Sequence, residues 1–218
     1  MSLAEETWAT IHRSLLFAGF SILLSSIPGV LLGIWAGWRQ DRTRHLVFTL
    51  FQSLAALPTV VIGLVIYGLL SRSGPLGGLG LLYTPAGVVI GQYFLALPIV
   101  VSFVAAGFRN IDPRFRETLE TLGIGLRGML VHALREGRAV IASGIALAFS
   151  RVLGEVGVAM MLGGNLRGST RTMTTAIALH AAKGEFGSAV VMGLVLLAIA
   201  LAVNWGIMLH GSARGGSA

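Results

Sequence analysis

The sequence predicts an all-α integral membrane protein, with about five transmembrane helices and one long cytoplasmic connection in a single domain over residues 1–218. Of the 218 residues, 55% are hydrophobic and only 11% are charged, whereas soluble domains carry about 25% charged residues. Five apolar runs reach the length of about 20 residues that a helix needs to cross a bilayer. They cover residues 14–38, 46–70, 85–108, 139–162 and 187–209.

Composition also excludes several classes of function. The net charge is +7, which in a soluble protein would favour nucleic-acid binding, but here the basic residues lie between the apolar runs. Without cysteine the chain has no disulfide and no thiolate metal site, and its five histidines are scattered without close ligand spacing. No G-x-x-x-x-G-K-[ST] motif occurs, so we expect no cofactor and no ATP site of the P-loop type on this chain.

The first run is predicted to be a membrane helix rather than a signal peptide, because its leader, MSLAEETWAT, is acidic and the run is too long. Orientation follows from the basic residues in the connections. Ten lie on one side of the predicted membrane: Arg39, Arg42, Arg44, Arg109, Arg114, Arg116, Arg127, Arg135, Arg138 and Arg214. Five lie on the other: Arg13, Arg72, Arg167, Arg171 and Lys183. The richer side is expected to be cytoplasmic, with the N-terminus outside and the C-terminus, including a disordered tail at 211–218, inside.

Spans one to three each contain a proline: Pro28, Pro58 and Pro98. Gln52 and Gln92 add polar side chains to the second and third spans. A proline in a membrane helix frees a backbone carbonyl and bends the axis. Two interpretations of these prolines stay open: a kink that serves packing, or a helix that lines or gates a transport path. Residues 71–85 form a turn-rich outer loop between spans two and three.

The cytoplasmic connection, about residues 111–138, is amphipathic rather than membrane-spanning. Asp112 suits an N-cap and Pro113 the first helical position. The pattern predicts a short helix with an apolar stripe of Phe115, Leu119 and Leu122, which ends at Gly123 and Gly125. A second amphipathic segment follows, with Met129, Leu130, Ala133 and Leu134. A short amphipathic helix could lie on lipid, but an anionic leaflet would repel Glu117 and Glu120. This helix–glycine–helix segment therefore favours docking into a groove on a soluble partner.

This connection resembles the EAA loop of ABC-importer permeases, whose pattern is E-A-A, three residues, Gly, nine residues, I-x-L-P. Glu117 and Gly123 match the Glu and Gly, while Thr118 and Leu119 replace the two alanines. The closing motif is replaced by residues 133–136, ALRE, without its proline. The resemblance implies a coupling helix seated on a separate ATPase subunit, which would hold the ATP and Mg.

Span four contains two charges, Arg151 and Glu155, whose i, i+4 spacing places them on one helix face, where they can pair. An unpaired charge at mid-membrane costs about 2.5–3.5 kcal/mol on insertion scales. The pair therefore either pins this helix against its neighbours, or Glu155 borders the transport cavity and changes partner between states. Direct coordination of an anion by Glu155 is disfavoured by charge.

A donor-rich segment, GGNLRGSTRTMTTA at 163–176, follows this span. Its glycines let backbone N–H groups approach closely, and its hydroxyl, amide and guanidinium donors suit a tetrahedral oxyanion. The alternative is a hydrated polar loop with threonines at a helix start. Candidate path or gate residues are Arg151, Glu155, Gly163, Gly164, Asn165, Thr170, Arg171, Thr172 and Thr174, with Arg167, Ser169 and Thr175 as further donors.

The stretch GEVGVAMMLGGNLRGSTRTMTTAI at 154–177 resembles the molybdate, sulfate and tungstate ABC permeases, which read G-E-F-G-A and then G-N-I-x-G-x-T-x-T. Its G-G-N, T-R-T and T-T-A-I pieces are most similar to the tungstate-type permeases. The resemblance covers nearly the whole chain. It implies a type I ABC importer permease in a bacterial or archaeal inner membrane, working by alternating access. The implied partners are a second copy, two ATPase subunits and an extracytoplasmic oxyanion-binding protein.

Two other classes of function stay open. A passive anion channel or an ion-coupled carrier would explain the charges of span four but not the ETLETLG motif at 117–123. A membrane-embedded enzyme would need a nucleophile, paired carboxylates or a metal site, and the sequence shows no such constellation.

Overall fold

The computed structural model describes residues 3–39 and 41–212, and it is built from helices, with no strand among those residues. In chain order they are α1 (Leu3–Trp38), α2 (Arg42–Ala55), α3 (Thr59–Leu70), α4 (Pro85–Arg109), α5 (Pro113–Thr121), α6 (Leu126–Glu136), α7 (Arg138–Leu153), α8 (Gly157–Gly163), α9 (Met173–Ala182) and α10 (Phe186–Ser212). One 3₁₀ turn, Gly77–Leu79, lies in the predicted outer loop. The all-α prediction is confirmed.

Three helical segments, Glu5–Trp38, Pro85–Arg109 and Phe186–Gly206, are each long and apolar enough to cross a membrane. The other two predicted spans are bent pairs: α2 with α3 at 97°, and α7 with α8 at 60°. The predicted count of five holds when each pair is taken as one span. The bend within residues 46–70 lies at Pro58, where a proline bend was expected. The expectation of a single helix over residues 139–162 is wrong.

The break between α2 and α3 has its cause in Pro58. Proline lacks an N–H and disfavours a helical residue before it. α2 accordingly ends at Ala55, and Pro58 takes an extended conformation as the N-cap of α3, at φ −59° and ψ 126°. Pro28 and Pro98, in contrast, lie inside α1 and α4.

α4 lies at the centre of the bundle and packs along α1 through small residues. Gly29, Gly33 and Gly37 recur every four residues on α1, the spacing that lets membrane helices approach closely. A Cβ atom at Gly29 would lie 2.8 Å from Val100 Cγ1, and one at Gly33 would lie 2.7 Å from Val104 Cβ.

The main buried cluster joins α1 and α4 to α7. Its buried apolar residues are Ala18, Ile22, Val30, Ile34, Ala96, Val100, Val104, Phe108, Ala133, Ala148, Val152 and Leu153. A second cluster joins α3 and α4 to α8: Ile66, Leu70, Leu95, Val158 and Leu162. α4 thus packs against both α7 and α8, on the two sides of the break between them.

Basic residues from each of the two predicted groups lie at opposite ends of α1, a helix of 36 residues that is about 54 Å long. Arg13, Arg167 and Arg171 gather near its first turns. At its other end Arg39 pairs with Glu120, and Arg116 lies over the Trp38 ring. These five residues are therefore separated as predicted, whereas Arg214 lies outside the described residues.

α10 leaves most of its apolar surface uncovered within the chain; only 11% of its most hydrophobic window is buried. It extends to Ser212, so residues 211 and 212 of the predicted disordered tail are helical. Residues 213–218 lie outside the described residues.

Candidate functional site

The α7–α8 break contains Glu155. α7 ends at Leu153, Gly154 is its C-cap, and α8 begins at Gly157. Glycines on both sides of Glu155 lower the cost of leaving the helix. Glu155 therefore lies between two helices, and the expectation that it shares a helix face with Arg151 is wrong.

The Glu155 carboxylate takes the place of the missing helical hydrogen bonds. Its Oε1 accepts from the backbone N–H groups of Gly157 at 2.8 Å and Val158 at 3.3 Å. These are among the first N–H groups of α8, which have no partner inside their own helix. A carboxylate at this position also interacts favourably with the helix dipole.

The predicted ion pair is present despite the break. Arg151 Nη1 donates to Glu155 Oε2 at 3.1 Å. The Glu155 side chain is only 3% exposed, whereas that of Arg151 is 48% exposed. The buried Glu155 carboxylate is thus compensated by the Arg151 guanidinium, about half of which the rest of this chain leaves uncovered.

The donor-rich segment begins with two left-handed residues, Gly164 at φ 67° and Asn165 at φ 52°. A Cβ at Gly164 would lie 2.7 Å from Tyr83 Cδ1, so glycine is needed there for space as well as conformation. Thr170 is fully buried; its Oγ1 accepts from the Leu166 N–H at 3.0 Å and donates to the Gly163 carbonyl. The segment is therefore a closed, internally bonded loop.

Two arginines join this loop to the start of α1. Arg171 Nη1 donates to Glu6 Oε1 at 3.0 Å, and its Nε donates to Asn165 Oδ1 at 3.2 Å. Arg167 Nη2 pairs with the other oxygen of Glu6. Glu6 thus connects α1 to a loop more than 150 residues away along the chain.

Thr172 and Thr175 form a capping box at the start of α9. Between them Thr174 donates through Oγ1 to the Glu155 backbone carbonyl at 2.8 Å. The α7–α8 break and the first turn of α9 are therefore held together by a direct hydrogen bond.

The structure brings the predicted path or gate residues into two neighbouring groups, linked through Thr174. One is the Arg151–Glu155 pair; the other is the loop from Gly163 to Thr172. The hydroxyls of Thr170, Thr172 and Thr174 each have a partner within the chain. Contact of these residues with an anion stays a prediction. In the described part of the chain, no three His, Cys, Asp or Glu side chains gather as metal ligands.

Thr170→Val is expected to lower the free energy of unfolding by about 2 kcal/mol, because the Leu166 N–H and the Gly163 carbonyl lose a buried partner. Thermal unfolding of the purified chain in detergent measures this. Ser169→Ala is the matched control, since the Ser169 side chain has no hydrogen-bond partner among residues 3–39 and 41–212, and it should change stability by less than about 0.5 kcal/mol. Equal effects of the two changes would contradict the assignment.

The helix–glycine–helix pattern predicted for residues 111–138 forms as α5 and α6 with a turn between them. Asp112 is the N-cap, and its carboxylate accepts from the Arg114 N–H at 2.9 Å. α5 ends at Thr121, and Gly123 takes φ 65°, where its N–H bonds to the Glu120 carbonyl. Leu122, predicted to belong to the apolar stripe, is 67% exposed; that expectation is wrong because the helix has ended before it.

α5 is fixed to the end of α1 by an aromatic and charged contact. The rings of Phe115 and Trp38 meet edge-on with centroids 6.4 Å apart, and Arg39 Nη2 lies 2.6 Å from Glu120 Oε1. This hydrogen bond raises the pKa of Arg39. Burial lowers the pKa of Arg116, whose guanidinium lies over the Trp38 ring.

The opposite face of α5 is exposed. It carries Arg114, Glu117 and Thr118, and Thr121 follows on the same side. Of the predicted coupling residues, Glu117 and Thr118 lie on this face, whereas Leu119 is buried beneath it. The predicted coupling role of these residues and Gly123 stays a prediction.

Sequence reasoning missed Glu6 and Tyr83. Glu6 was expected only as part of an acidic leader, although its carboxylate pairs with Arg167 and Arg171. Tyr83 adopts φ 61°, and its N–H donates to the Leu162 carbonyl at 2.7 Å. Neither contact follows a local sequence pattern. For Glu6, the available signal was that the basic residues predicted on its side of the membrane need a carboxylate partner.

Comparison with known proteins finds a family match over residues 29–210, to the family described as "Binding-protein-dependent transport system inner membrane component". The tungstate uptake system permease protein TupB of Campylobacter jejuni is 35% identical over 92% of this chain and 84% of its own length. TupB of Peptoclostridium acidaminophilum is 33% identical, over 94% and 90%. A probable anion ABC transporter permease protein of Haloferax volcanii is 33% identical, over 88% and 84%.

Proposed function

Because the chain belongs to the family of binding-protein-dependent transport system inner membrane components, we propose that it is the permease subunit of an ATP-driven importer of a tetrahedral oxyanion, tungstate. The observation that carries this proposal is the similarity to two tungstate permeases over nine-tenths of the chain. The exposed α5 face supports it, because a permease without a P-loop needs a surface on which a separate ATPase acts.

The proposed assembly contains two copies of this chain, two ATPase subunits and an extracytoplasmic binding protein. Each copy of the chain forms a single permease domain. ATP and Mg belong to the ATPase subunits. The uncovered apolar faces of α3 and α10 are available for the second copy and for lipid. The ten-to-five distribution of basic residues supports an N-terminus outside and a C-terminus inside.

The proposed coupling follows α1. Its cytoplasmic end is clamped to α5 by Trp38 and Arg39, and its outer end is bonded through Glu6 to Arg171 in the 163–172 loop. Movement of α5 by the ATPase therefore moves α1, and the 163–172 loop moves with it. This connection can convert ATP binding inside into opening of the mouth outside, as alternating access requires.

Arg151 is the proposed cation of the passage. Its guanidinium is half exposed and is held in place by Glu155, which cannot itself bind an anion because like charges repel. A guanidinium donates in a fork that matches oxyanion geometry. Compensation by Glu155 keeps the attraction modest, which favours release of the ion.

The proposal is tested by tungstate uptake into proteoliposomes that contain this chain, its ATPase and its binding protein. Uptake should require ATP on the ATPase side. Excess molybdate or sulfate in the binding-protein compartment should compete more weakly than unlabelled tungstate. Uptake by this chain alone, without ATP, would contradict the importer and would indicate a passive channel or a carrier.

Glu117→Lys is expected to reduce uptake at least about tenfold, because it reverses a charge on the exposed α5 face and like-charge contacts at an interface cost several kcal/mol. Membrane insertion should be unchanged. The matched control is Glu136→Lys, an equal reversal at an exposed carboxylate at the end of α6, which should retain uptake. Normal uptake by Glu117→Lys would disprove the placement of the interface.

A further inference from the structure

A groove of about 290 Å³ lies between the cytoplasmic half of α1 and α6. Leu31 and Trp35 form one wall, and Met129 and Leu130 form the other. The lining from Leu31 to Trp38 extends about 10 Å along α1 at 1.5 Å per residue. The groove is therefore a mainly apolar slot that runs along the helix axis.

The groove lies at the depth of a membrane interface. The membrane-spanning part of α1 ends at Trp38, and tryptophans concentrate where the hydrocarbon core meets the headgroups. Trp35, which also lines the groove, is partly exposed. One end of the slot thus faces hydrocarbon and the other faces the headgroup layer.

Two arginines, Arg44 and Arg127, line the same groove, and its lining contains no carboxylate. The Arg44 guanidinium lies 5.2 Å from the centre of the Trp35 ring, and its Nε lies 3.1 Å from Asp41 Oδ2. Arg127 is exposed, and no ion pair involves it in the described part of the chain. The groove accordingly combines an apolar channel with a net positive end.

We propose that this groove binds an anionic phospholipid, with its phosphate between Arg44 and Arg127 and one acyl chain along Leu31, Trp35 and Leu130. Basic pockets between transmembrane helices on the cytoplasmic side bind anionic headgroups in this way. A free oxyanion would leave the apolar walls uncovered. A neutral lipid would leave Arg127 without a counter-charge, and Arg44 would have only Asp41. The inference depends on the proposed function only for the cytoplasmic orientation of this end.

The test is native mass spectrometry of the full chain, purified alone and together with its ATPase, with phosphatidylglycerol or phosphatidylcholine of identical acyl chains. Phosphatidylglycerol should be retained preferentially in both preparations. Each arginine near an anionic surface contributes about fivefold in affinity, so Arg44→Gln with Arg127→Gln should weaken retention roughly 25-fold. Arg135→Gln, which removes an exposed charge of α6 outside the lining, should have no effect.

Two further arms identify the occupant. Leu130→Trp fills the slot and should reduce phosphatidylglycerol retention while both arginines remain. Inorganic phosphate at millimolar concentration should not displace the lipid; displacement would identify a free-anion site instead. Equal retention of both lipids, an unaffected double variant, or loss of lipid when the ATPase binds would overturn the proposal.

Orientation is tested separately, so that the two proposals fail distinguishably. The chain has no cysteine, and Thr118→Cys would add one on the exposed α5 face. A membrane-impermeant thiol reagent should label it in inside-out vesicles and not in intact cells. Labelling of intact cells would refute the orientation of the proposed function, whereas the lipid measurement in detergent would be unaffected.

Discussion

Glu155→Ala is expected to lower the thermal midpoint by roughly 10 °C and to abolish uptake. The change removes the acceptor of two N–H groups at the start of α8 and the partner of Arg151. A buried donor left without a partner costs about 1–3 kcal/mol. Together these losses are about 3 kcal/mol, and each kcal/mol shifts the midpoint of a domain of this size by about 2–4 °C.

Glu155→Gln separates the two roles of this carboxylate. The amide oxygen can still accept from the Gly157 and Val158 N–H groups, but the amide nitrogen cannot pair with Arg151. Stability should therefore recover by more than half, while uptake stays impaired if the position of Arg151 matters for transport. Fluorescence-detected unfolding and proteoliposome uptake measure the two effects. Full activity of Glu155→Ala would refute the account of the α7–α8 break.

Gly33→Leu is expected to prevent stable folding. A Cβ at this position would lie 2.7 Å from Val104 Cβ and 3.0 Å from the Val101 carbonyl oxygen, and the backbone oxygen cannot move without displacing α4. Overpacking of a core costs about 1–3 kcal/mol when neighbours can adjust. We expect more here, because α1 and α4 must separate along their main contact.

Gly19→Leu is the matched control on the same helix. Nothing lies within 4 Å of a Cβ at Gly19, and leucine favours a helix more than glycine by roughly 0.5–1 kcal/mol. The two substitutions should thus change the yield of monodisperse protein and its thermal midpoint in opposite directions. A tolerated Gly33→Leu would contradict the close α1–α4 packing.

The all-α fold and the membrane-spanning character could be predicted because both depend on composition and on the length of apolar runs. The two broken spans could not be placed from hydropathy, since α3 and α8 are as apolar as a continuous span would be. The local signals were present in Pro58 and in the glycines around Glu155, but proline alone does not break a helix. Pro28 and Pro98 lie within continuous helices, where packing overrides the local preference.

The site was predicted unevenly. The Arg151–Glu155 pair was expected from spacing and is present, although the helix premise behind it was wrong. Asp112 as an N-cap and the glycine turn after α5 were correct because capping is a local property. The contacts of Glu6 with Arg167 and Arg171 join residues that are distant in sequence, and no periodic pattern encodes such pairs.

ATP hydrolysis by the reconstituted transporter is the most direct test of the account. The assembly would contain this chain, its ATPase and the binding protein, and hydrolysis would be compared with the binding protein empty or loaded with tungstate. We predict that loaded binding protein stimulates hydrolysis and that Glu117→Lys removes this stimulation without removing the basal rate. No association with an ATPase, together with anion flux through this chain alone, would contradict the central claim.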